Sequence, residues 1–472
     1  MIGMSVATAA LRERPRMEEM AEIARERARR SGRPVLVSVS ARVKPDDPLA
    51  LFVRAMGATH NRFFWSVPSA GLALAGLGAA WSYEISGANP FPAAQAAWRE
   101  LAAEAAIDAD PALPFSGPLA AAGFAFDPTC PSSGAWAGFP EGMLLLPRVV
   151  LACVGDEATL TVNGMVGPKT SSAALAASAA RRLMALIGEP WRAHDRTADL
   201  VQHDVIAPQA WQALVGDAVA ELRAGTMEKV VLARAVQVRA ERPLDLPAAL
   251  DALRRDYPDT FVFAVARGGR TFFGASPERL VSLRDGAVSA FGLAGSTARG
   301  ATPSEDAILG ELLLHSAKDR GEHAVVVRTI LEDLRAICAD LHAPDDPTLM
   351  KMRNVQHLFT PITGRLLGER TIFDLLEHLH PTPAVGGRPR SSALEWIRQH
   401  EQLDRGWYAG PVGWVNARGE GEFAVALRSA LADRTSATLF AGCGIVADSD
   451  PAREYAESQI KLRAILGAIG GL

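Results

Sequence analysis

The sequence predicts an α+β fold in which antiparallel sheets carry helices on their outer faces. Two observations carry that prediction. Apolar runs of period two come in adjacent pairs joined by short turns, as at residues 271–283 and 414–428, and do not alternate strictly with helices. No repeat of 20 to 50 residues is visible either, which argues against a solenoid or a propeller. The chain has 472 residues, 49% of them hydrophobic and 22% charged, so it has the means to bury a sizeable core. At about 150 residues per domain, that length allows two or three domains or one large one.

The elements follow in order. Residues 11–30 read as a charged helix and 35–43 as a strand. Helices are expected at 93–106 and 172–187, with strands around 143–154 and 159–162. The polar segment 192–204 reads as a linker, dividing an N-terminal half, residues 1–204, from a second region, 205–472. There, residues 209–224 place Trp211, Leu214, Val215, Ala218, Val219 and Leu222 on one helical face, and Gly225 closes the helix. Strands follow at 230–238 and 260–266. Residues 271–274 and 280–283 read as a hairpin-like pair around Ser276-Pro277, and 311–337 as one long helix. Two strands flank the turn Asn416-Ala417-Arg418-Gly419, and a further strand spans 437–446. The terminal helix, 451–466, starts from an Asp450 N-cap with Pro451 at the first helical position.

Composition excludes several functions. Lys and Arg total 49 against 53 Asp and Glu, a formal charge of −4, with no electrostatic footprint for nucleic acid or an anionic membrane. The four cysteines stand far apart without a CxxC pair, which argues against a disulfide scaffold or a zinc knuckle and fits a reducing cytosol. The longest apolar stretches, such as 71–81, are too short to span a bilayer. The N-terminus mixes Arg and Glu and lacks the apolar run of a signal peptide. A cytoplasmic protein is expected. Nucleotide motifs also fail: residues 164–170 place a proline between glycine and lysine, and 292–300 lack GxGxxG.

Other segments carry candidate chemistry. Glu454, Glu457 and Lys461 share one helical face, and His315, Lys318 and Glu322 share another. Carboxylates from two helices can converge on a hard cation such as Mg²⁺; the spacing fits solvated faces with ion pairs at least as well. Lys229 opens an apolar strand, where desolvation would make it a base. Moving its pKa from about 10.4 to about 8 costs roughly 3 kcal/mol. A structural lysine reaching toward solvent is the plainer reading of the same pattern. Glu278 follows Gly274-Ala275-Ser276-Pro277, a turn suited to presenting a carboxyl into a cleft or simply to water. His380 through Gly387 is a stiff loop of small residues. Gly442-Cys443-Gly444 lies inside an apolar strand, where glycine marks a close approach to the backbone. Arg428 ends a strand and suits a carboxylate clamp. Each alone fits a structural role; together they suggest a small anionic substrate.

Taken in order, these segments resemble the chorismate-utilising enzymes. The run is Glu228-Lys229-Val230-Val231-Leu232-Ala233-Arg234, then Gly274 to Glu278, then Leu293-Ala294-Gly295-Ser296. It continues through Lys318-Asp319-Arg320-Gly321-Glu322-His323, Val355-Gln356-His357-Leu358, and His380 to Gly387. It closes with Asp404 to Trp414, Gly421 to Arg428 and Phe440 to Lys461. The likeness covers residues 205–472; the first half matches only in size and character. Within the family, the loop 380–387, the run Asp404-Arg405-Gly406-Trp407-Tyr408-Ala409-Gly410 and the stretch 440–451 look like the isochorismate synthase branch that serves menaquinone.

The resemblance implies one large sandwich of two facing antiparallel sheets with helices outside, the two halves intertwined. It implies Lys229 as the base that activates water and Glu278 as the acid that protonates the departing C4 hydroxyl of chorismate. Glu322 and Glu457 match ligands of Mg²⁺, with Glu454 close by and acting through water. Tyr408, Arg428, Gly442 and Lys461 match carboxylate contacts; Gly295, His357 and Ala384 line the site. The implied reaction is isomerisation of chorismate to isochorismate. Amine-transferring relatives need a glutaminase partner, and none is expected here because Lys229 argues for water; a monomer is expected. Salicylate synthases keep the Lys and Glu pair but usually carry threonine where this chain has Ala384, so lyase activity is expected to be slight. A chorismate-binding protein without catalysis is the remaining alternative, disfavoured because every catalytic position is filled.

Overall fold

The computed structural model describes residues 13–130, 134–184, 191 and 199–470. Two sheets dominate. The larger has thirteen strands and the smaller ten, and among the described pairs only Val35–Val43 with Ala106–Asp108 runs parallel. The α+β sandwich is thus present. Both sheets cross the 204/205 boundary: Phe261–Arg267 pairs with Arg62–Val67 in the larger, and Pro411–Asn416 pairs with Leu119–Phe124 in the smaller.

Alternation along the strands decides which way each residue faces. Phe63, Trp65, Phe263 and Phe272 join Phe124, Val281 and Phe423 of the smaller sheet in the largest core cluster. Their strand neighbours Phe64, Val262, Ala264 and Phe273 point the other way. They pack with the Pro48–Arg54, Leu246–Asp256 and Pro451–Ala468 helices in a second cluster. A third, small cluster seats the Arg14–Ser31 helix on Val35, Val37 and Val39.

Three expectations need correction. The segment 192–204 is not simply a linker: residues 192–198 lie outside the described residues, but Leu200–Asp204 is a strand on the edge of Lys229–Ala240. The long helix at 311–337 is two helices, Pro303–His315 and Ala317–Leu334. Ser316 between them is extended, and its hydroxyl accepts from the Asp319 amide, capping the second helix. His315 therefore does not share a face with Lys318 and Glu322; it is exposed beside Glu311.

The third correction matters most for the site. Residues 271–283 are not a hairpin. Arg270–Ser276 lies in the larger sheet and Arg279–Arg284 in the smaller, so the chain crosses between sheets at Ser276-Pro277-Glu278. A second crossing, between Gly421–Val425 and Ser429–Ala432, runs beside it. The crossings are bonded to each other: the Val425 amide donates to Glu278 O at 3.0 Å, and the Ala275 amide to Arg428 O at 3.1 Å. Among the helices of the described residues, none is long and apolar enough to cross a membrane.

Candidate active site

The paired crossings deliver Glu278 and Arg428 into the space between sheets. Gly274 is glycine because the Arg428 carbonyl would lie 2.6 Å from any Cβ there. Arg428 holds φ +47°, a left-handed conformation that a non-glycine residue adopts at a cost. That turn leaves the guanidinium buried, and one of its terminal nitrogens lies 3.4 Å from His357 Nε2. The other ring nitrogen of His357 pairs with Ser296 Oγ at 2.7 Å. Burial, then the charges of Arg428 and Lys461, hold the His357 pKa well below its ordinary value, so the ring is neutral near pH 7.

Lys229 begins its strand fully inside the protein, with its side chain 3% exposed. Its ammonium meets Glu322, from the first two turns of the Ala317–Leu334 helix, at 2.7 Å. Gly444 explains how both reach that point. A Cβ there would lie 2.7 Å from Glu322 Oε1 and 2.7 Å from Lys229 Cε, so only glycine leaves room for the pair. The close approach expected of the Gly442-Cys443-Gly444 stretch is thus made by this chain's own ion pair. Gly442 faces the Tyr408 hydroxyl in the same way, at 3.1 Å from a built Cβ.

The terminal helix brings the other charges. Asp450 caps it through the Arg453 amide at 2.9 Å, and Pro451 opens it. Glu454, Glu457 and Lys461 face the site together, as their spacing predicted. Lys461 donates to Glu457 at 2.7 Å and to the Gly442 carbonyl at 2.8 Å. Ser449 donates to Glu454 at 2.8 Å. Burial alone would raise the Glu457 carboxyl, but Lys461, with Arg428 and Lys318, brings it below the usual range. Glu454 is raised, by burial and then by the charge of Glu457.

Glu278 differs from all of these. It is completely buried, and desolvation pushes its pKa up to about 8 although Lys229, Arg428 and Lys461 pull the other way. At neutral pH it is a carboxylic acid able to give a proton.

All twelve residues singled out from the sequence, Lys229, Glu278, Gly295, Glu322, His357, Ala384, Tyr408, Arg428, Gly442, Glu454, Glu457 and Lys461, line one cavity of about 850 Å³, its open mouth included. Gly295 sits at a bulge with φ +75°, under Asp319 and Leu358. Reading the sequence missed Ser296, Asp319 and Arg405 as lining residues. Only Arg405 carried a local signal, a cation at the head of the otherwise uncharged run 405–415.

The acid groups fit a hard divalent cation. Ligand atoms of Glu454 and Glu457 lie within 4.8 Å of each other, and two carboxylates so close suit a hard cation that takes oxygen ligands. Glu322 is turned to Lys229 and stands outside that cluster. Cys443 is close enough to count, but it does not suit the role. Its thiol donates to the Glu454 carbonyl at 3.2 Å, and burial holds its pKa far above the ordinary value.

The chain matches the chorismate binding enzyme family over residues 21–470, well beyond the second half to which its motifs are confined. It is 42% identical over 452 residues to the salicylate biosynthesis isochorismate synthase of Pseudomonas aeruginosa, covering 93% of this chain and 92% of that one. It is 38% identical over 444 residues to isochorismate synthase MenF of Bacillus subtilis, covering 93% and 94% respectively. The structure of MenF, the menaquinone-specific isochorismate synthase from Escherichia coli, aligns with a TM-score of 0.76 at 28% identity, over 95% of this chain and 100% of that chain.

Proposed function

This chain belongs to the chorismate binding enzymes, and on that premise we propose that it is an isochorismate synthase, an isomerase that interconverts chorismate and isochorismate with Mg²⁺ bound. The observation that carries this reading is that Lys229 and Glu278, whose pKa burial raises to about 8, line one cavity together with Arg428 and Lys461.

The roles follow from the residue types. Water is a poor nucleophile, so Lys229, with its ammonium proton lost, takes a proton as the water oxygen bonds to C2. The ring double bond shifts, and the C4–O bond breaks. Hydroxide is a poor leaving group, so Glu278 gives its proton to the C4 oxygen, which departs as water. One proton is taken and one is given, and each turnover ends with Lys229 protonated and Glu278 ionised, to be reset through solvent. General acid and base help of this kind is worth roughly 10²–10⁴-fold for each group. Arg428 and Lys461 receive the carboxylates of the dianionic substrate, with Tyr408 and the Gly442 backbone beside them. Glu322, Glu454 and Glu457 would hold Mg²⁺, which when bound supplies positive charge to a substrate carboxylate. Ala384 leaves the loop face small, and Gly295 and His357 line the same cavity.

Menaquinone supply is the proposed destination of the product, supported by the likeness to the Bacillus subtilis protein. The name of the Pseudomonas aeruginosa relative supports salicylate biosynthesis as a second destination. Transcript levels that rise when iron is withheld would favour the second. We propose that the enzyme acts as a monomer in the cytoplasm without a glutaminase subunit.

The activity is tested by chromatography of products after purified protein meets chorismate, with and without Mg²⁺. Isochorismate formed only with Mg²⁺, and settling at a mixture with chorismate, is expected. Salicylate and pyruvate at a comparable rate would overturn the reading of Ala384. No conversion, with ammonia also supplied, would leave a non-catalytic binder.

A further inference from the structure

We propose that the buried ion pair of Arg405 and Glu401 is a positioning element for the base Lys229, standing where a strand is missing; this rests on the isochorismate synthase reading above. The strand Lys229–Ala240 has a complete partner on one side, Ser436–Ile445, from Val230 to Arg239. On its other side it is paired only at its ends. Gly387–Arg388 covers Lys229 and Val230, and Leu200–Asp204 covers Val236 to Ala240. The stretch between is buried, and buried backbone groups need partners.

The Val231 amide donates to the Gly386 carbonyl at 2.9 Å and the Ala235 carbonyl accepts from the Val205 amide at 3.0 Å; side chains supply others. Arg405 donates through one terminal nitrogen to the Val231 carbonyl at 2.7 Å, and Glu401 accepts from the Ala233 amide at 2.7 Å. Trp211 Nε1 donates to the Ala233 carbonyl at 3.1 Å. The two charged groups lock each other in a fork, with bonds of 2.6 and 2.7 Å, and their side chains are 4% and 0% exposed. Arg405 also donates to the Val385 carbonyl at 3.1 Å and lies 4.1 Å over the Phe126 ring. One ion pair therefore joins the base strand, two residues beyond Lys229, to the loop carrying Ala384. It also sits on the cavity wall, and the Tyr408 amide donates to its backbone carbonyl at 2.8 Å.

Stability alone does not call for such a pair. Apolar residues of similar volume often serve a core as well or better, because desolvating two charges is expensive. What apolar residues cannot do is bond to Val231, Ala233 and Val385 at once. Lys229 acts on water, so a shift of its strand should appear in kcat and leave chorismate affinity nearly intact. Displacements of about 1 Å can cost as much as 10²-fold in rate.

The test is the double variant Arg405→Met with Glu401→Leu, beside Glu401→Gln and Arg405→Lys. The double variant, which leaves three buried backbone groups without these partners, is expected to fold with a lowered melting temperature while kcat falls at least tenfold and KM for chorismate stays within threefold. Wild-type kcat in the folded double variant, or a loss carried by KM alone, would overturn the proposal. If the double variant does not fold, Glu401→Gln decides. It keeps the volume and an acceptor for Ala233, and at least a threefold loss in kcat at constant KM is expected; an unchanged kcat overturns the idea. Arg405→Lys, which cannot fork, should not rescue. A wild-type chain that fails to convert chorismate would sink the proposed function instead. The clamp is then read from hydrogen exchange of the Ala233 amide, which Glu401 holds, where unchanged protection in the double variant refutes it.

Discussion

Two regions of the cavity bury charge in opposite ways. On the helix-borne side, each of two carboxylates holds a lysine: Glu322 with Lys229 and Glu457 with Lys461, both at 2.7 Å. On the crossing side, Glu278 is dehydrated without such a contact, and burial raises it to about 8. One residue type is thus charge-paired in one place and, through burial, favoured in its neutral form in another. The difference comes from how each reaches the site. The terminal helix presents Glu457 and Lys461 at i and i+4, so that partner comes with the element, while the Ala317–Leu334 helix turns Glu322 to a lysine at the start of a strand. A crossing between sheets brings one residue at a time into a dry space.

The comparison breaks most visibly at its two extremes. Glu278→Gln is expected to cut kcat by roughly 10²–10⁴-fold; because it removes only a neutral acid, thermal unfolding should stay close to wild type. Lys229→Met should lose as much activity, but it also strands Glu322, whose side chain is 14% exposed. Breaking a buried pair costs about 3–5 kcal/mol, and the partial exposure places this one at or below the low end. Equal stability in the two variants would contradict the distinction.

Proton affinity sharpens it further. In the proposed mechanism the acid form of Glu278 is the active one, so kcat/KM should fall as pH rises through about 8. Stability moves in the same direction. Between the usual value of 4.5 and about 8 the folded chain holds a proton that the unfolded chain has lost. The folded state therefore loses stability progressively as pH climbs through that window, on the order of a few kcal/mol in total. Urea titrations at pH 5 and pH 8.5 measure this, and Glu278→Gln should flatten the difference.

A smaller effect is expected from Gly444→Ala, which pushes a methyl group into the Lys229–Glu322 pair. Overpacking of this kind costs about 1–3 kcal/mol, and kcat should drop about tenfold with the displaced base. The smallest effect on stability is expected from chelation. Removing Mg²⁺ should abolish turnover, yet shift the melting temperature little, because Lys229 and Lys461 can serve as counter-charges for Glu322 and Glu457. Collapse of the fold in chelator would show that the lysines do not take over as counter-charges.

Much of the site was legible because its chemistry sits on ordinary elements. The i, i+3, i+7 spacing of Glu454, Glu457 and Lys461 placed them on one face, and Asp450-Pro451 set where that helix starts. The glycines at 442 and 444 announced a close approach. The paired crossings were not legible. Residues 271–274 and 280–283 alternate in the same way whether the second strand returns in one sheet or passes to another, and nothing local distinguishes the two. Ser316 was missed for a related reason: the apolar period continues across it, while a capping serine in extended geometry breaks the helix.

What the sequence by itself determined is the chemistry on offer: which acids, bases and glycines there are, the periodicity that makes strands and helices of their neighbours, and the likeness to a family. Which of these groups is charged, and what each one faces, was decided by the tertiary structure. The state of Glu278 depends on water excluded by two sheets, and the position of Lys229 on Glu322, Gly444 and the Arg405–Glu401 fork, residues between 93 and 215 positions away in the chain. Dehydration and long-range pairing are properties of packed neighbours, and no window of local sequence contains them.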